Sequence, residues 1–344
     1  MKVLYIPTMN TGVIYWRIEN YATHLLKVSG VKVYVDYFYP PQSNIAWDAI
    51  CLEEGLEDAK NIQNKLYAAY DYFDVIIFQK IQNKQGLALI SKMREQFPKT
   101  KIFAEVDDHI GDVTPSNFNI DKFKAHHKHA AHHCELSDGV ICSTDYLAEH
   151  CKKFNENVFV APLCIDPKTW KYRKNNKRAP NKKLTYGYVA GSGHDEDLYI
   201  LNEGLKKCKD DVILKIRYGG HKPEFLTDER IDFKTVAWDI HEYPQRLYDL
   251  NIDIGLAPLR DTEFNRCKSN LKWLEWSSMS VPVIASNVEP YSKTNGSIML
   301  RDNLNFDLTI DQKIKKEDLF TQNRKNYSIT KNCHRLAKWL KSQI

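Results

Sequence analysis

The sequence predicts an α/β protein with two doubly wound, parallel-sheet domains facing a central cleft. Three observations carry that expectation. Short β-branched, apolar runs alternate with longer amphipathic stretches from end to end, the pattern of βαβ units in a parallel sheet. The alternation breaks at Lys168–Lys183, a stretch of Lys, Arg and Asn with Pro180 and little to bury. It resumes at Leu184 with a second series. Domains are therefore expected at 1–170 and 184–322, joined by a basic linker at 171–183, with a terminal helix over 323–344 packing back on the first domain.

In the first half the strand candidates are Lys2–Ile6, Val31–Val35, Asp74–Phe78, Lys101–Glu105, Gly139–Cys142 and Val158–Ala161. Ligands bind such sheets at the C-terminal ends of the strands, so the residues that follow each strand are the candidate functional groups. After the first strand, Gly12 permits a tight turn and a close backbone approach. Tyr15 and Trp16 follow as aromatic groups, and Arg17 on the first helical turn can reach an anion. A plain strand-to-helix turn explains the same residues.

After the fourth strand come Asp107, Asp108 and His109. Two carboxylates beside an imidazole offer a general base, or negative charge for an oxocarbenium-like centre. The competing explanation is a cap or turn made by Asp. Next, in His126-His-Lys-His129-Ala-Ala-His132-His133-Cys134, His129 and His133 share a helix face as a zinc pair would. No partner at a defined spacing completes a site, so a surface or cleft-facing helix is expected and no metal is assigned. Ser143 and Thr144 follow the fifth strand, where they suit helix capping and also lie at the cleft edge.

In the second half the strand candidates are Leu184–Ala190, Val212–Ile216, Ile231–Val236, Asp253–Leu256, Val281–Ala285 and Ser297–Leu300. Gly191, Ser192, Gly193 and His194 follow the first of these. Such a loop frees backbone N–H groups at a helix start, where a phosphate or sugar can sit. The loop is not a GxGxxG, and no acidic residue stands at dinucleotide spacing, which disfavours NAD. Further on, Lys268-Ser269-Asn270-Leu-Lys272-Trp-Leu-Glu275 opens another helix. Lys268 and Lys272 can neutralise a leaving diphosphate, and Glu275 can accept both hydroxyls of a ribose. An amphipathic helix with Leu271, Leu274 and Trp276 inward is compatible with both roles.

The chain has 344 residues, 43% hydrophobic and 27% charged, ample for two cores. Its formal charge of +5 tolerates phosphate, nucleic acid or an anionic membrane and selects none of them. Eight cysteines are scattered without a CxxC pair. No opening segment resembles a signal peptide, and no run approaches the ~20 apolar residues of a membrane span. A reducing, cytoplasmic setting is expected, with peripheral membrane contact compatible.

Taken together, Leu136–Thr144 with Val160–Asp166, Gly187–Asp197 and above all Asp253–Ser286 resemble the GT-B glycosyltransferases. The resemblance is to the group 1, family 4-like retaining enzymes and spans nearly the whole chain. It implies two Rossmann-like domains and transfer of a sugar from a UDP- or GDP-sugar to an acceptor hydroxyl, with retention. It implies that Glu275 binds the nucleotide ribose and Lys268 or Lys272 the diphosphate. Gly12 would lie in the acceptor-side loop, and Asp108 or His109 would be the group after the fourth strand. No cofactor or metal is implied beyond the donor. Members often carry an earlier Glu eight positions before the ribose-binding one, and here that position is Cys267.

The expected acceptor is a saccharide or lipid carrier. One alternative is a phage-type DNA glycosyltransferase acting on a hydroxymethylated base, favoured by the basic linker and tail and by Tyr15 and Trp16, on which a flipped base would stack. Another is a non-catalytic nucleotide-sugar binding protein, prompted by Cys267.

Overall fold

The computed structural model describes residues 1–7, 12–36, 70–111, 120–170, 180–294, 298–302, 305–310 and 326–344. The chain divides into two units, Met1–Cys164 with Ile329–Ile344, and Ile165–Ser328. Each is built on a six-stranded sheet. Parts of the sequence expectations, namely residues 8–11, 171–179, Ser297 and 323–325, lie outside the described residues.

Unit 1 holds β1 (Lys2–Ile6), β2 (Lys32–Val35), β3 (Val75–Gln79), β4 (Lys101–Val106), β5 (Gly139–Cys142) and β6 (Val158–Val160), in the order β2-β1-β3-β4-β5-β6. All pairs are parallel. Every residue of β3 is buried, as expected of a central strand covered on both faces. Alternate residues serve two cores. Val3, Tyr5, Ile77 and Phe103 join a layer containing α1 (Gly12–Ile14), a π-helical turn (Tyr15–Glu19) and α2 (Asn20–Leu25). Leu4, Ile6, Ile76 and Phe78 pack instead with Leu87, Ile90 and Met93 of α3 (Lys84–Gln96). The helices α4 (Ile120–Leu136) and α5 (Asp145–Cys151) complete the crossovers. Two helices start on side-chain caps: Asn83 accepts the Gly86 N–H, and Thr144 accepts the Leu147 N–H.

Unit 2 holds β7 (Thr185–Ala190), β8 (Ile213–Tyr218), β9 (Ile231–Thr235), β10 (Ile254–Ala257), β11 (Val283–Ser286) and β12 (Ile298–Arg301), in the order β12-β11-β10-β7-β8-β9. Its helices are α6 (Asp195–Lys207), α7 (Tyr243–Asp249), α8 (Glu263–Arg266) and α9 (Leu271–Ser278). From β7 the chain winds outward to β9, then restarts beside β7 at β10 and winds the other way. The crevice outside the β7 and β10 C-termini is the switch point of this sheet, and that outside β1 and β3 is its counterpart in unit 1.

The helix α10 (Ile329–Lys341) returns to unit 1, where Ile329, Cys333, Leu336, Ala337 and Leu340 are buried in the same core as Tyr21 and Leu25 of α2. The 3–4 spacing of these residues is what makes one face of the helix apolar. The unit boundary falls at Cys164/Ile165, a few residues before the expected break. Trp170 explains the offset: it is buried and packs edge-on against Tyr243 of unit 2.

Gly255 of β10 lies under Trp276 of α9. A Cβ at Gly255 would stand 2.4 Å from the indole Cδ1 and Cγ, and overpacking of this kind costs about 1–3 kcal/mol. Gly255→Ala is expected to lower the stability of unit 2 by that amount in denaturant unfolding.

Candidate functional site

In unit 2 the groups gather at the switch point. Gly191, Ser192 and Gly193 are exposed, Gly193 has φ +87°, and a Cβ on Gly191 or Gly193 would meet nothing within 4 Å. The loop backbone is therefore open to a ligand while its far end is fixed. The Tyr218 hydroxyl accepts the His194 N–H at 2.9 Å and donates to Asp195 at 3.0 Å. His194 Nδ1 lies 2.7 Å from Asp197 Oδ2, and the Tyr188 hydroxyl donates to the same oxygen at 3.3 Å.

Burial, with Lys272 and Lys268 adding to it, pushes the His194 imidazole down to about 4. The ring is neutral at pH 7 and donates from Nδ1 to Asp197. Burial opposes ionisation of Asp197, yet the His194 hydrogen bond and the two lysines outweigh it and hold the carboxyl below its ordinary value. Asp197 is thus a buried anion set among the lysines expected to meet a diphosphate. Burial lowers the Lys272 ammonium, with Asp197 opposing. Its Nζ sits 5.5 Å from the Tyr188 ring centre, and Lys268 Nζ sits 5.1 Å from that of Phe264.

Glu275 is buried within α9. Its Oε2 accepts the Tyr243 hydroxyl at 3.0 Å, and burial pushes the carboxyl up to about 7 against the pull of Lys272. Ser269 is half-buried. Asn270 has a structural task, donating to the Tyr327 hydroxyl at 2.8 Å and to Thr294 at 3.4 Å. Cys267 is fully buried, with its N–H bonded to the Glu263 and Phe264 carbonyls.

In unit 1, Asp107, Asp108 and His109 follow β4 at the sheet's C-terminal edge. Lys80, one residue past β3, points its ammonium at both acids, 3.0 Å from Asp107 Oδ1 and 3.5 Å from Asp108 Oδ2. Asp108 is the more open carboxylate, its side chain 33% exposed against 13% for Asp107. His109 is buried, its ring 4.0 Å from that of His150 and 6.4 Å from that of His127. Ser143 donates to the Asp107 carbonyl at 3.2 Å, which ties β5 to the same turn. Gly12 is exposed.

Several sequence expectations need correction. Arg17 is no open anion-binding group: it is buried, with Nε 2.5 Å from Glu105 Oε1 and Nη1 donating to the Ala161 carbonyl at 2.5 Å. Tyr15 and Trp16 are buried edge-to-face at 5.2 Å, so they offer no exposed ring for stacking. Thr144 is the cap of α5, the structural role that the sequence left open beside an acceptor-side one. Of the α4 histidines, His132 is exposed, as a surface helix would have it, but His127 and His133 are buried. His133 is fully buried, accepts the Ile81 N–H at Nδ1, and is pushed by burial down to about 3. His129 Nδ1 lies 3.2 Å from the Gln82 carbonyl, and His132 pairs with Glu135.

Three groups were missed: Lys80, Asp197 and Tyr243. A lysine close behind the apolar run Val75–Phe78, at the strand's C-terminal end, was the available signal for Lys80. Asp197 stood within the three-acid opening of α6, and Tyr243 gave no signal.

No family model matches the chain. A protein of Bacillus subtilis (strain 168) assigned to teichuronic acid biosynthesis as glycosyltransferase TuaH is 23% identical over 174 residues. That alignment covers 46% of this chain and 43% of TuaH, so it spans less than half of the relative. Among solved structures, HepE of Anabaena in complex with UDP-glucose has a TM-score of 0.65 at 12% identity, covering 99% of this chain and 100% of that one. The apo lipopolysaccharide outer core galactosyltransferase WaaB has a TM-score of 0.63 at 14% identity, with 100% of both chains covered. Together with the two six-stranded parallel sheets, these likenesses define the fold as GT-B.

Proposed function

We propose that the chain is a retaining glycosyltransferase that moves a sugar from a UDP- or GDP-sugar to a hydroxyl of a saccharide or lipid-carrier acceptor. One observation carries the reading: the switch point of unit 2 brings together an open glycine loop, two lysines and a buried acid. In this reading Gly191–Gly193 offers N–H groups to the diphosphate, and Lys268 and Lys272 stabilise the charge that builds on it as the glycosidic bond breaks. Glu275, held by Tyr243, accepts the ribose hydroxyls. Asp197 keeps Lys272 charged until the diphosphate arrives. In unit 1, Asp108 accepts a hydrogen bond from the acceptor hydroxyl and orients it for attack. The similarity to TuaH, and the UDP-glucose bound to HepE, support a nucleotide sugar as donor. The burial of Tyr15 and Trp16 weakens the case for a flipped DNA base as acceptor.

A panel of UDP- and GDP-sugars tests this by thermal shift. A donor at 100 times its Kd stabilises by about 2.7 kcal/mol, which raises the melting temperature by roughly 5–10 °C for a unit of this size. Product analysis with the responding donor then reads transfer and anomeric configuration. A panel in which no nucleotide sugar moves the melting temperature would sink the reading.

A further inference from the structure

We infer that His194 reads the sugar of the donor rather than its diphosphate: its Nε2, a lone-pair acceptor at the end of the glycine loop, takes a hydrogen bond from one hydroxyl of the transferred sugar. The inference rests on the proposed nucleotide-sugar donor and adds which part of that donor the last residue of the loop meets.

His194 is held by its backbone and by its ring. Its N–H donates to the Tyr218 hydroxyl at 2.9 Å, and its Nδ1 stands 2.7 Å from Asp197 Oδ2. Asp197 lies on the first turn of α6 and also accepts the Tyr188 hydroxyl. An ionised carboxylate only accepts, so Nδ1 carries the proton. Burial, with Lys272 and Lys268 adding to it, keeps the ring neutral at pH 7. A neutral imidazole protonated at Nδ1 has a bare lone pair at Nε2. Asp197 is thus a positioning residue that selects the tautomer. Its side chain is 4% exposed, against 21% for His194. With Nδ1 turned inward to that carboxylate, the open part of the ring is the opposite edge, which carries Nε2.

The neighbours of this acceptor are donors. The exposed backbone of Gly191 and Ser192 offers N–H groups, and Lys272 and Lys268 bring two ammonium groups near the ring. The acids that open α6 have other tasks: Asp195 accepts the Tyr218 hydroxyl, Glu196 pairs with Arg260, and Asp197 holds His194. A diphosphate oxygen is itself an acceptor, and against Nε2 it would set lone pair against lone pair. A sugar hydroxyl has a proton to give. The sugar is bonded directly to the diphosphate, so its hydroxyls fall next to whatever grips the phosphates. The donors of the loop therefore suit the phosphates, and the one acceptor that follows them suits the sugar.

The test reads the ring itself. In the full chain labelled with 15N-histidine, the His194 signals are assigned by their loss in His194→Asn, whose amide can keep the bond to Asp197 but does not reach the place of Nε2. Without ligand at pH 7, Nδ1 is expected in the protonated range and Nε2 in the unprotonated one. A UDP- or GDP-sugar that stabilises the chain is expected to move Nε2 toward the hydrogen-bonded range, while the nucleoside diphosphate alone leaves it in place. One monodeoxy-sugar analogue, lacking the hydroxyl concerned, should also leave it in place. In calorimetry His194→Asn is expected to weaken the nucleotide sugar by about 3–10-fold, the worth of a neutral hydrogen bond, and the nucleoside diphosphate by less than about twofold. Against that one analogue the wild type and His194→Asn should bind alike.

An Nε2 that gains a proton when the nucleoside diphosphate binds marks a phosphate contact and overturns the inference. So does equal weakening of diphosphate and nucleotide sugar in His194→Asn, because loss of a purely structural bond would act on both. If His194→Asn fails to fold, His194→Gln supplies the assignment and the wild-type signals decide. A chain that binds no nucleotide sugar defeats the proposed donor and this inference with it. One that binds them and leaves Nε2 unmoved defeats this inference alone.

Discussion

Glu275→Gln is expected to weaken donor binding about a hundredfold while leaving the protein as stable as before, or more so, at pH 8. A hydrogen bond to a charged acceptor contributes about 1.5–3 kcal/mol, and the amide replaces a carboxylate that would accept two ribose hydroxyls. A net loss of about 3 kcal/mol corresponds to roughly 150-fold in Kd, measured by titration calorimetry. The stability half follows from the buried carboxyl. Its folded pKa, about 7, stands above the ordinary 4.5, so the protonated folded form is favoured. The stability this contributes is full below pH 4.5 and is lost as pH rises through 7. At pH 8 the wild-type protein holds a buried charge there, which glutamine removes. The same carboxyl sets a pH dependence: donor affinity should fall as pH drops below about 7 and flatten in Glu275→Gln. On the alkaline side the burial-depressed Lys272 ammonium should bring a second decline. Equal Kd values for wild type and Glu275→Gln would remove Glu275 from the ribose.

The strands and the parallel, doubly wound class of both sheets were legible because their signal is local. Runs such as Val75–Phe78 are apolar at every position, and the βαβ alternation needs no long-range information. The loop at Gly191–Gly193 and the helix carrying Glu275 were legible for a related reason: glycine and charged residues directly after a strand lie at the functional edge whatever the packing. Burial of polar groups was not legible. Arg17, Lys80, Asp197 and His133 look solvent-seeking in a linear sequence, and each is enclosed by a partner 3 to 88 positions away. Tyr243 reaches Glu275 across 32 positions, a distance no spacing rule covers. The histidines of α4 show the same limit, since a helical i, i+4 pair describes a face without saying what covers it.

The second large effect expected is on stability. Arg17→Met should destabilise unit 1 by about 3–5 kcal/mol, the cost of leaving one member of a buried ion pair uncompensated. Both side chains are 2% exposed, and Arg17 also satisfies the Ala161 carbonyl at the end of β6. Burial already raises the Glu105 carboxyl above its ordinary value, with Arg17 the largest opposing influence. Without the guanidinium, Glu105 should take up a proton on folding rather than remain a buried anion. The loss should therefore be larger at pH 8 than at pH 5, because a raised carboxyl contributes most below its unfolded pKa and least above its folded one. In calorimetry the transition that unfolds unit 1 should fall by roughly 10 °C. The double change Arg17→Met with Glu105→Leu should recover much of it, since a buried pair replaced by apolar groups of similar volume is often neutral. Had Arg17 served as an anion-binding group for the acceptor, Arg17→Met would raise the acceptor KM at unchanged stability, and the double variant would be no better than the single one. Comparing the two melting curves therefore decides between a structural and a ligand-binding arginine without knowledge of the acceptor.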